Sequence, residues 1–435
     1  MSLAMVWQVC ELPQSLRSYW NRKSIKMTVC VLGLGYIGLP LALLLADNGV
    51  KVLGFDVDAQ KLARLENNLL TLKERGLEQL FASVQKKGTF SVVQTVPTAE
   101  SYIIAVPTPQ TDRHSDLSYI YKSLEFIHPH YQPGSLIVLE STVGPSDCES
   151  KIIPELRKWN VDFKFAHCPE RAVPGNTLQE MTRNDRVIGG ITRQDAKSAQ
   201  RLYKKFVTGS ISLTTPNQAA TVKTMENTYR AVNIALANEF AKIATELHLD
   251  VWEAIALANH HPRVAIHRPS VGVGGHCIPV DPWFFVGESK QSQLIEAALL
   301  VNQQMPQFVA DKVQLLIKQH KIKKPMIGLL GYTYKKNVDD TRETPVEHLI
   351  ACLESAATIL ITDPYLTMIK GRKLESLDTL LSTVSIVILT TDHNEFSKIL
   401  FKNYPNIKIV YDTQHLFTPK NFEGSSSYHY VLGKG

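Results

Sequence analysis

The sequence predicts an α/β protein made of two Rossmann-like, doubly wound lobes joined by a long central helix. Three observations lead to this fold class. Short apolar strand patterns alternate with helix patterns at both ends of the chain, a glycine-rich turn follows the first strand, and one uninterrupted helix pattern lies between the two α/β regions. Because 435 residues are too many for one ordinary core, we expect more than one domain.

The N-terminal α/β region begins with the apolar, β-branched run of residues 27–34, which ends in glycines and is typical of a buried parallel strand. A helix pattern covers residues 36–48 and stops at Gly49, and a second strand pattern covers residues 51–56. Further strand patterns lie at residues 101–106, 136–139 and 186–189. This alternation predicts a doubly wound sheet.

The residues before Met27 do not resemble a targeting signal. They contain Trp7 and Trp20 but no continuous apolar segment, so a secretory signal is not predicted. Since the first strand pattern starts directly after Met27, we expect Met27 to be the natural start. Residues 1–26 would then be a non-native leader or the product of an overlong start.

The central part of the chain is predicted to be helical. Residues 217–247 form a helix pattern rich in Ala, Asn and Glu, without Gly or Pro, which is longer than most helices and links two domains. A second α/β region starts at Pro325. Its helix pattern covers residues 345–354, and its strand patterns cover residues 326–330, 358–362, 384–390 and 407–411.

The composition limits the function classes. Hydrophobic residues make up 44% and charged residues 20%, and the net charge of +6 comes without a basic block interleaved with aromatics, so no nucleic-acid partner is predicted. The longest apolar runs are far shorter than the ~20 residues that span a bilayer, so no membrane insertion is expected. Six scattered cysteines without a CxxC pair predict neither zinc nor a disulfide framework, and they favour a reducing, cytoplasmic location.

The predicted cofactor site is the GxGxxG motif formed by Gly33, Gly35 and Gly38, directly after a strand and at the start of a helix. These glycines permit a tight turn, close approach of a pyrophosphate and close helix packing. Asp56 ends the next strand pattern, 18 residues after Gly38, where a carboxylate can bind a ribose hydroxyl. Residues 57–60 contain no Arg, so NAD is favoured over NADP. The alternative is a strand-to-helix turn that binds no nucleotide.

The most informative segment for chemistry is residues 270–281. Gly272, Gly274 and Gly275 let the backbone come close to a ligand, and Cys277 follows them directly. Asp281 lies four residues further on, near enough for acid–base work on the same centre. The alternative is a structural cysteine behind a glycine turn, since a free Cys is usually a small buried hydrophobic residue.

Lys223 and Asn227 are spaced i, i+4 on the long helix and therefore share one face. A positive charge beside an amide donor is what an oxyanion site requires. A Lys on an Ala-rich helix is more often a solvated side chain, and the spacing alone leaves both interpretations open.

Six ordered segments give a resemblance that extends from Met27 to the C-terminus. They are residues 140–142, 167–171, 223–227, 270–281, 331–336 and 340–343. Together they resemble the UDP-glucose/UDP-N-acetylmannosamine dehydrogenase family. The resemblance implies an N-terminal extension over residues 1–26, an NAD-binding Rossmann domain over 27–215, a central helical dimerisation domain over 216–310 and a UDP-binding Rossmann-like domain over 311–435.

The resemblance also implies a two-step oxidation with a covalent intermediate. Cys277 attacks the C6 aldehyde formed by a first hydride transfer, and Lys223 and Asn227 stabilise the oxyanion. A second hydride transfer gives a thioester, which water hydrolyses with the help of Asp281, Thr142 and Glu170. Covalent capture divides a four-electron oxidation into steps that one site can manage.

Further contacts follow from the same resemblance. The implied cofactor contacts are Gly33, Gly35, Tyr36, Ile37, Gly38, Asp56, Pro107, Thr108 and Thr142. The implied substrate contacts are Arg171, Lys223, Asn227, His261, Arg263, Gly274, Lys335 and Arg342. In the family, the Arg of the element that Arg263 matches reaches the substrate of the partner subunit. We expect a homodimer or larger homo-oligomer, and no metal, because no ligand spacing completes the paired histidines His260 and His261.

The second lobe is expected to bind the UDP part of a UDP-sugar. Lys335 and Arg342 are suited to neutralise a diphosphate, although isolated basic residues are more often solvated. Residues 328–331 lack the third glycine of the fingerprint, so a second NAD is not predicted. Thr333 and Tyr334 replace the family's more usual Ala-Phe pair.

Four segments most resemble members that act on UDP-N-acetylmannosamine: residues 261–263, 272–284, 168–176 and 184–190. UDP-N-acetylglucosamine and UDP-glucose remain alternative substrates. Two other classes compete with the two-step dehydrogenase: a one-step dehydrogenase without a catalytic thiol, and a catalytically silent nucleotide-sugar-binding protein. An amino-uronic acid product would suit surface polysaccharide synthesis in a microbe.

Overall fold

The computed structural model describes residues 27–70, 72, 74–173 and 175–435. The expectation that Met27 is the natural start concerns residues 1–26, which lie outside the described residues. The described part forms two largely parallel sheets joined by long helices, so the predicted fold class is confirmed. No helix in this described part combines the length and apolar character needed to cross a membrane.

The N-terminal lobe carries an eight-stranded sheet with the order β10-β9-β8-β7-β4-β1-β2-β3 and a two-stranded ribbon, β5-β6. Its strands are β1 (Thr28–Leu32), β2 (Lys51–Phe55), β3 (Phe90–Val92), β4 (Ser101–Ile104), β5 (Gln110–Thr111), β6 (His114–Ser115), β7 (Leu136–Leu139), β8 (Lys164–His167), β9 (Arg186–Gly190) and β10 (Ile211–Thr214). Neighbouring strands of the large sheet run parallel, except that β8 and β9 are antiparallel.

Helices cover both faces of this sheet. They are α1 (Gly38–Asp47), α2 (Ala59–Glu66), α3 (Leu77–Lys87), α4 (Ser118–Ile127), α5 (Ile153–Arg157), α6 (Thr177–Arg183) and α7 (Arg193–Tyr203), with a 3₁₀ turn at His128–His130 and a π turn at Cys148–Ile152. Successive residues of β1 point to opposite faces. Val29 and Val31 pack in the core beneath α1, whereas Cys30 and Leu32 pack in the core beneath α4.

Four helices form the centre: α8 (Pro216–Glu246), α9 (Val251–Ala258), α10 (Pro282–Glu288) and α11 (Gln293–Gln319). The predicted helix at residues 217–247 is α8, which begins with the Thr215 hydroxyl capping the amide of Gln218 and Pro216 in the first turn. Two buried amides join α8 to α11: Asn238 donates to Asn302 Oδ1 at 2.9 Å, and Asn302 donates to the Ala231 carbonyl at 3.0 Å.

The C-terminal lobe carries a five-stranded parallel sheet with the order β12-β11-β15-β16-β17 and a two-stranded ribbon, β13-β14. The strands are β11 (Met326–Leu330), β12 (Thr358–Thr362), β13 (Met368–Ile369), β14 (Arg372–Lys373), β15 (Ile386–Leu389), β16 (Ile409–Asp412) and β17 (Tyr428–Val431). Its helices are α12 (Pro345–Leu353), α13 (Leu377–Thr383) and α14 (Pro419–Phe422), with 3₁₀ turns at Phe396–Lys398 and Phe401–Asn403. The alternation of β15 feeds two cores, with Ile386 and Ile388 on one face and Val387 and Leu389 on the other.

Candidate functional site

The glycine loop after β1 is closed at its ends and open in the middle. Gly33 has φ +90°, and a Cβ there would lie 2.5 Å from the Ala105 carbonyl oxygen. A Cβ on Gly38 would lie 1.8 Å from the Gly33 carbonyl oxygen. A Cβ on Gly35 would instead meet no heavy atom of the described residues within 4 Å, apart from its chain neighbours. The loop therefore leaves free space in front of the N-terminus of α1, where a pyrophosphate binds in this type of turn.

Asp56 follows β2 and faces the same loop. Its Oδ2 accepts the amide of Leu34 at 2.8 Å and the ammonium of Lys61 at 2.7 Å, and its Oδ1 accepts the amide of Asp58 at 3.0 Å. Desolvation alone would raise the pKa of Asp56, but these hydrogen bonds and the charge of Lys61 hold it below its ordinary value. The carboxylate is therefore ionised, and Oδ1 keeps capacity for a ribose hydroxyl.

The loops after β4 and β7 are bonded to each other. Thr108 donates through Oγ1 to the Thr142 carbonyl at 2.6 Å, and Ser141 donates to the Val106 carbonyl at 2.7 Å. Of the predicted cofactor contacts in these loops, Pro107 is exposed and Thr108 is buried. The carboxyl ends of adjacent parallel strands thus bring Thr108 and Thr142 together at the edge where ligands bind in such sheets.

Cys277 lies on a glycine hairpin that packs against the C-terminal lobe. The Gly275 amide donates to the Arg342 carbonyl at 2.9 Å. A Cβ on Gly274 would lie 2.4 Å from the Tyr334 Cβ, and a Cβ on Gly275 would lie 2.9 Å from the Tyr334 ring. Only glycine fits these contacts. Cys277 itself is exposed, so the alternative of a buried structural cysteine does not describe it.

Three buried polar side chains lie close to this cysteine: Lys223 and Asn227 of α8, and Asp281 just before α10. The Asn227 amide donates to Asp281 Oδ2 at 2.6 Å. Desolvation raises the pKa of Asp281 to about 7, opposed by Lys223 and by the Asn227 hydrogen bond. The structure therefore places a cation, an amide donor and a carboxyl that titrates near neutral pH in one group.

The Cys277 thiol is largely protonated at neutral pH. Although it is reached by solvent, desolvation by the surrounding protein and the charge of Asp281 raise its pKa to about 11, while Lys223 and Arg342 act in the opposite direction. Attack by this sulfur therefore requires a proton acceptor or a stronger local positive potential.

Glu170 is oriented by its own turn and by a buried arginine. Its Oε1 accepts the amides of Arg171 and Ala172 at 2.7 and 2.8 Å, and its Oε2 accepts Arg186 Nη2 at 2.5 Å. Desolvation alone would raise the pKa of Glu170, but Arg186 and the two amides hold it below its ordinary value. Three hydrogen bonds leave this carboxylate ionised and fixed in place.

The sequence reasoning missed the partners of this network. Arg186 lies 3.4 Å from Glu140 Oε1, and the Tyr203 hydroxyl donates to the same oxygen. Desolvation raises the pKa of Glu140 to about 8 despite the opposing charge of Arg186. Glu140 is part of the motif at residues 140–142. Arg186 lies on β9 and Tyr203 on α7, and no spacing in the sequence indicates that either residue contacts Glu140.

Arg171, predicted to bind substrate, is paired within the protein. It forms a two-point ion pair with Glu226, with Nε 3.0 Å from Oε2 and Nη2 on Oε1, and its Nη1 donates to the Asp185 carbonyl at 2.7 Å. Because Glu226 precedes Asn227 on α8, this pair fixes the loop after β8 against the helix that carries Lys223 and Asn227.

The other predicted substrate contacts fall into two places. Lys335 is half-buried and Arg342 partly exposed on the C-terminal lobe, and the Arg342 guanidinium lies 4.8 Å above the Tyr36 ring of the glycine loop. His261 and Arg263 are exposed on the turn after α9. Within the described part of the chain, no hydrogen bond or ion pair joins them to the Lys223–Asp281 group.

One face of α8 is apolar and exposed. It carries Met225, Tyr229, Leu236, Phe240 and Ile243, spaced by 4, 7, 4 and 3 residues and therefore on one stripe. Among residues 27–70, 72, 74–173 and 175–435, no group of three or more His, Cys, Asp or Glu side chains could hold a metal ion.

Three family models match the chain in order. They describe the NAD binding domain (residues 27–207), the central domain (217–304) and the UDP binding domain (328–419) of the UDP-glucose/GDP-mannose dehydrogenase family.

Similar proteins match along nearly the whole length. A UDP-N-acetyl-D-mannosamine dehydrogenase of Methanococcus maripaludis is 41% identical over 419 residues, 94% of this chain and 97% of the relative. An NDP-N-acetyl-D-galactosaminuronic acid dehydrogenase of Ralstonia nicotianae is 37% identical, over 90% of this chain and 97% of the relative. The solved structure of UDP-D-ManNAc dehydrogenase from Pyrococcus horikoshii superposes with a TM-score of 0.88 at 33% identity and covers 94% of this chain and 100% of its own. The chain therefore belongs to the UDP-glucose/GDP-mannose dehydrogenase family, and it is an NAD-dependent dehydrogenase.

Proposed function

We propose that this enzyme oxidises the C6 alcohol of UDP-N-acetyl-D-mannosamine to the carboxylate of UDP-N-acetyl-D-mannosaminuronate, with two NAD consumed per sugar. The choice of sugar is supported by the relatives that are named for it, at 41% identity for the Methanococcus maripaludis protein. The observation that carries the chemistry is the exposed Cys277 thiol beside the buried group of Lys223, Asn227 and Asp281. Neither a one-step dehydrogenase nor a silent binding protein has a use for this arrangement.

The glycine loop supports the cofactor assignment. Gly35 leaves room for a pyrophosphate, the N-terminus of α1 faces that space, and Asp56 offers a ribose its remaining acceptor capacity. Tyr36, Ile37, Pro107 and Thr108 border the same sheet edge. When bound there, NAD accepts a hydride from the C6 carbon in each of the two oxidations.

In the proposed reaction, Lys223 and Asn227 stabilise negative charge on the C6 oxygen. The first oxidation converts the alcohol to an aldehyde and releases one proton. The Cys277 sulfur then adds to the aldehyde carbon and its proton passes to solvent, which reaches the exposed thiol. The new alkoxide is held by the Lys223 ammonium and the second N–H of the Asn227 amide. The second oxidation removes the C6 hydride from this thiohemiacetal and gives a thioester.

Hydrolysis of the thioester completes the reaction. A water molecule attacks the thioester carbonyl and loses one proton to Asp281. The carbon–sulfur bond then breaks and the second proton of the water passes to the sulfur, which releases the carboxylate and the thiol. With a pKa of about 7, Asp281 can accept a proton at neutral pH and return it to solvent. We assign Thr142 to the same step and Glu170 to orienting its surroundings, since three hydrogen bonds already hold the Glu170 carboxylate.

We also propose that two chains assemble through the apolar stripe of α8. Five exposed apolar residues on one helix face are more than a solvated helix of a monomer needs. In such a dimer Arg263, which is exposed and outside its own chain's Lys223–Asp281 group, would contact the partner's substrate. Sedimentation of a Phe240→Glu variant tests this: we expect monomers, and an unchanged sedimentation coefficient would contradict the stripe as the interface.

The experiment that tests the reaction is NADH release from single UDP-sugars at limiting concentration. We expect two NADH per UDP-N-acetyl-D-mannosamine, with UDP-N-acetyl-D-glucosamine and UDP-glucose turned over more slowly. One NADH per sugar would refute the two-step scheme. Faster turnover of an alternative sugar would change the assigned substrate but would not contradict the two-step oxidation.

Two variants test the intermediate. Cys277→Ser should lose steady turnover, while Cys352→Ser, a second accessible cysteine that donates to Gln307, should keep it. Asp281→Asn should accumulate a covalent sugar adduct on Cys277, visible by intact mass after an acid quench. Full activity of Cys277→Ser would show that the thiol takes no part in the reaction.

A further inference from the structure

Arg342 joins three parts of the molecule that meet beside Cys277. Its guanidinium lies over the Tyr36 ring of the glycine loop, with 4.8 Å from Cζ to the ring centroid. Its backbone carbonyl accepts the Gly275 amide at 2.9 Å, two residues before the thiol. One side chain of the C-terminal lobe therefore contacts the cofactor loop, and its own backbone holds the hairpin of the nucleophile.

The orientation of Arg342 is fixed by protein groups alone. Asp340 accepts Arg342 Nε at 2.9 Å on Oδ1 and Nη2 at 2.6 Å on Oδ2, which is a two-point fork, and Asp340 is buried. A planar guanidinium can satisfy such a fork and also stack on an aromatic ring, which an ammonium cannot do. The positive charge therefore has a defined place in the cleft before any ligand binds.

We propose that Arg342 is a positioning residue that places the Cys277 hairpin against the cofactor loop and holds a positive charge beside the thiol. This deepens the proposed function, since it matters for catalysis only if Cys277 is the nucleophile. The role is additional to the diphosphate contact that the family resemblance implies for Arg342.

The charged and titratable groups around the thiol come from three elements. On its own segment these are His276 and Asp281, on α8 Lys223, and on the C-terminal lobe Tyr334, Asp340 and Arg342. Desolvation is the main cause of the raised pKa of Cys277, and the negative charges of Asp281 and Asp340 act in the same direction. The positive charges of Lys223 and Arg342 lower this pKa. Removing the Arg342 charge would also leave the Asp340 carboxylate without its guanidinium partner. Both changes act in the direction of a less reactive thiol.

The test is the rate of alkylation of Cys277 by iodoacetamide between pH 7 and 10, followed by mass spectrometry of its peptide in the full-length enzyme without substrate. For Arg342→Met we expect alkylation at pH 8 to slow by about threefold to tenfold and the profile to move to higher pH. Arg342→Lys keeps the charge and should fall between Arg342→Met and the wild type. Lys336→Met removes an exposed charge from the same segment and is expected to give the wild-type profile.

A second variant tests the proposal independently if Arg342→Met does not fold. Tyr36→Leu keeps the charge but removes the ring beneath it, so the guanidinium loses its fixed position, and we expect slower alkylation by a smaller factor. The proposal is overturned if every one of these two variants that folds, Arg342→Met or Tyr36→Leu, shows the wild-type pH profile of Cys277 alkylation. A shifted profile together with an active Cys277→Ser enzyme would refute the proposed function but support the effect of Arg342 on the thiol.

Discussion

The loops that follow β1 and β11 begin in the same way in the two lobes. Gly33 and Gly331 both have positive φ, and their amides donate to the carbonyls of Phe55 and Thr362, each at 2.9 Å. The next amide in each loop then donates at 2.8 Å to an aspartate that follows the neighbouring strand, Leu34 to Asp56 and Tyr332 to Asp363. Two copies of one turn therefore occur in this chain.

The two loops differ in the space behind that turn. In the N-terminal lobe Gly35 leaves the space empty, and α1 starts at Gly38. In the C-terminal lobe the side chain of Thr333 lies against Asp363 and His393, at 3.3 and 3.1 Å, and no α-helix starts until Pro345. The shared topology fixes the turn, but open space decides whether a dinucleotide can approach it. The C-terminal loop instead extends toward the Cys277 hairpin.

The largest expected effect comes from filling the open loop. Gly35→Val should fold normally, because a Cβ at this position meets no described atom within 4 Å beyond its chain neighbours, yet it occupies the space where the pyrophosphate approaches. We expect NAD affinity to fall by about 100-fold or more, which is ~2.7 kcal/mol. Titration calorimetry with NAD measures this affinity. A Kd within threefold of the wild-type value would show that the open space at Gly35 does not decide NAD binding.

A change at the turn that the two loops share should affect stability instead. Gly331→Ala forces a side chain into a left-handed conformation, with its Cβ 2.5 Å from that of Thr391, at a cost of about 2 kcal/mol. We expect a lower Tm and weaker UDP-sugar binding, with the NAD Kd unchanged. Loss of NAD binding in Gly331→Ala would mean that the two loops are not independent.

Substitution of the two matched aspartates, Asp363 and Asp56, is expected to have smaller effects, and the effect at Asp363 depends on pH. Desolvation alone would raise the pKa of Asp363, but the His393 hydrogen bond and the amides of Tyr332 and Thr333 hold it below its ordinary value. A group with a lowered folded pKa contributes stability that is present above its unfolded pKa of about 3.9 and lost as pH falls through the folded value. Asp363→Asn should therefore destabilise the protein at pH 7 by about 1–2 kcal/mol, and this deficit should shrink below pH 4.

Asp56→Asn is the matched change on the cofactor side. It removes the ionised acceptor for the ribose, so we expect NAD to bind about tenfold more weakly. Thermal melts at pH 4 and 7 and NAD titrations of both variants make the comparison. An Asp363→Asn deficit that grows as pH falls would contradict the sign derived for that carboxylate.

Much of the fold was predictable because local signals agreed with the tertiary structure. The predicted strands at residues 326–330 and 358–362 are β11 and β12, and the predicted helix at 217–247 is α8 within one residue at each end. The sequence analysis did not assign β8 or α11. The four residues of β8 are too few for a clear period, and Pro306 inside α11 is a helix-breaking signal that packing in the core overrides.

The site was predictable only where its residues stand close in sequence. Cys277 and Asp281, or Lys223 and Asn227, can be paired by spacing, but the contact of Asn227 with Asp281 joins residues 54 positions apart. The pairing of Arg171 with Glu226 likewise spans 55 positions. Such contacts depend on how the central helices pack on each other and on the N-terminal lobe, and they leave no periodic trace in the sequence.

The smallest expected effect concerns Lys61, the partly exposed partner of Asp56. In the C-terminal lobe the matching Asp363 is paired with a buried His instead. Lys61 lies 2.7 Å from Asp56 Oδ2 and competes with ribose hydroxyls for that carboxylate, while its ion pair is screened by solvent. Lys61→Met should therefore tighten NAD by about twofold. Lys87→Met, which breaks a similar surface pair with Asp47 in the same lobe, should leave the NAD Kd unchanged. Weaker NAD binding in Lys61→Met would mean that the lysine itself contacts the cofactor, so that the open loop binds NAD through a cation as well as through its acceptor.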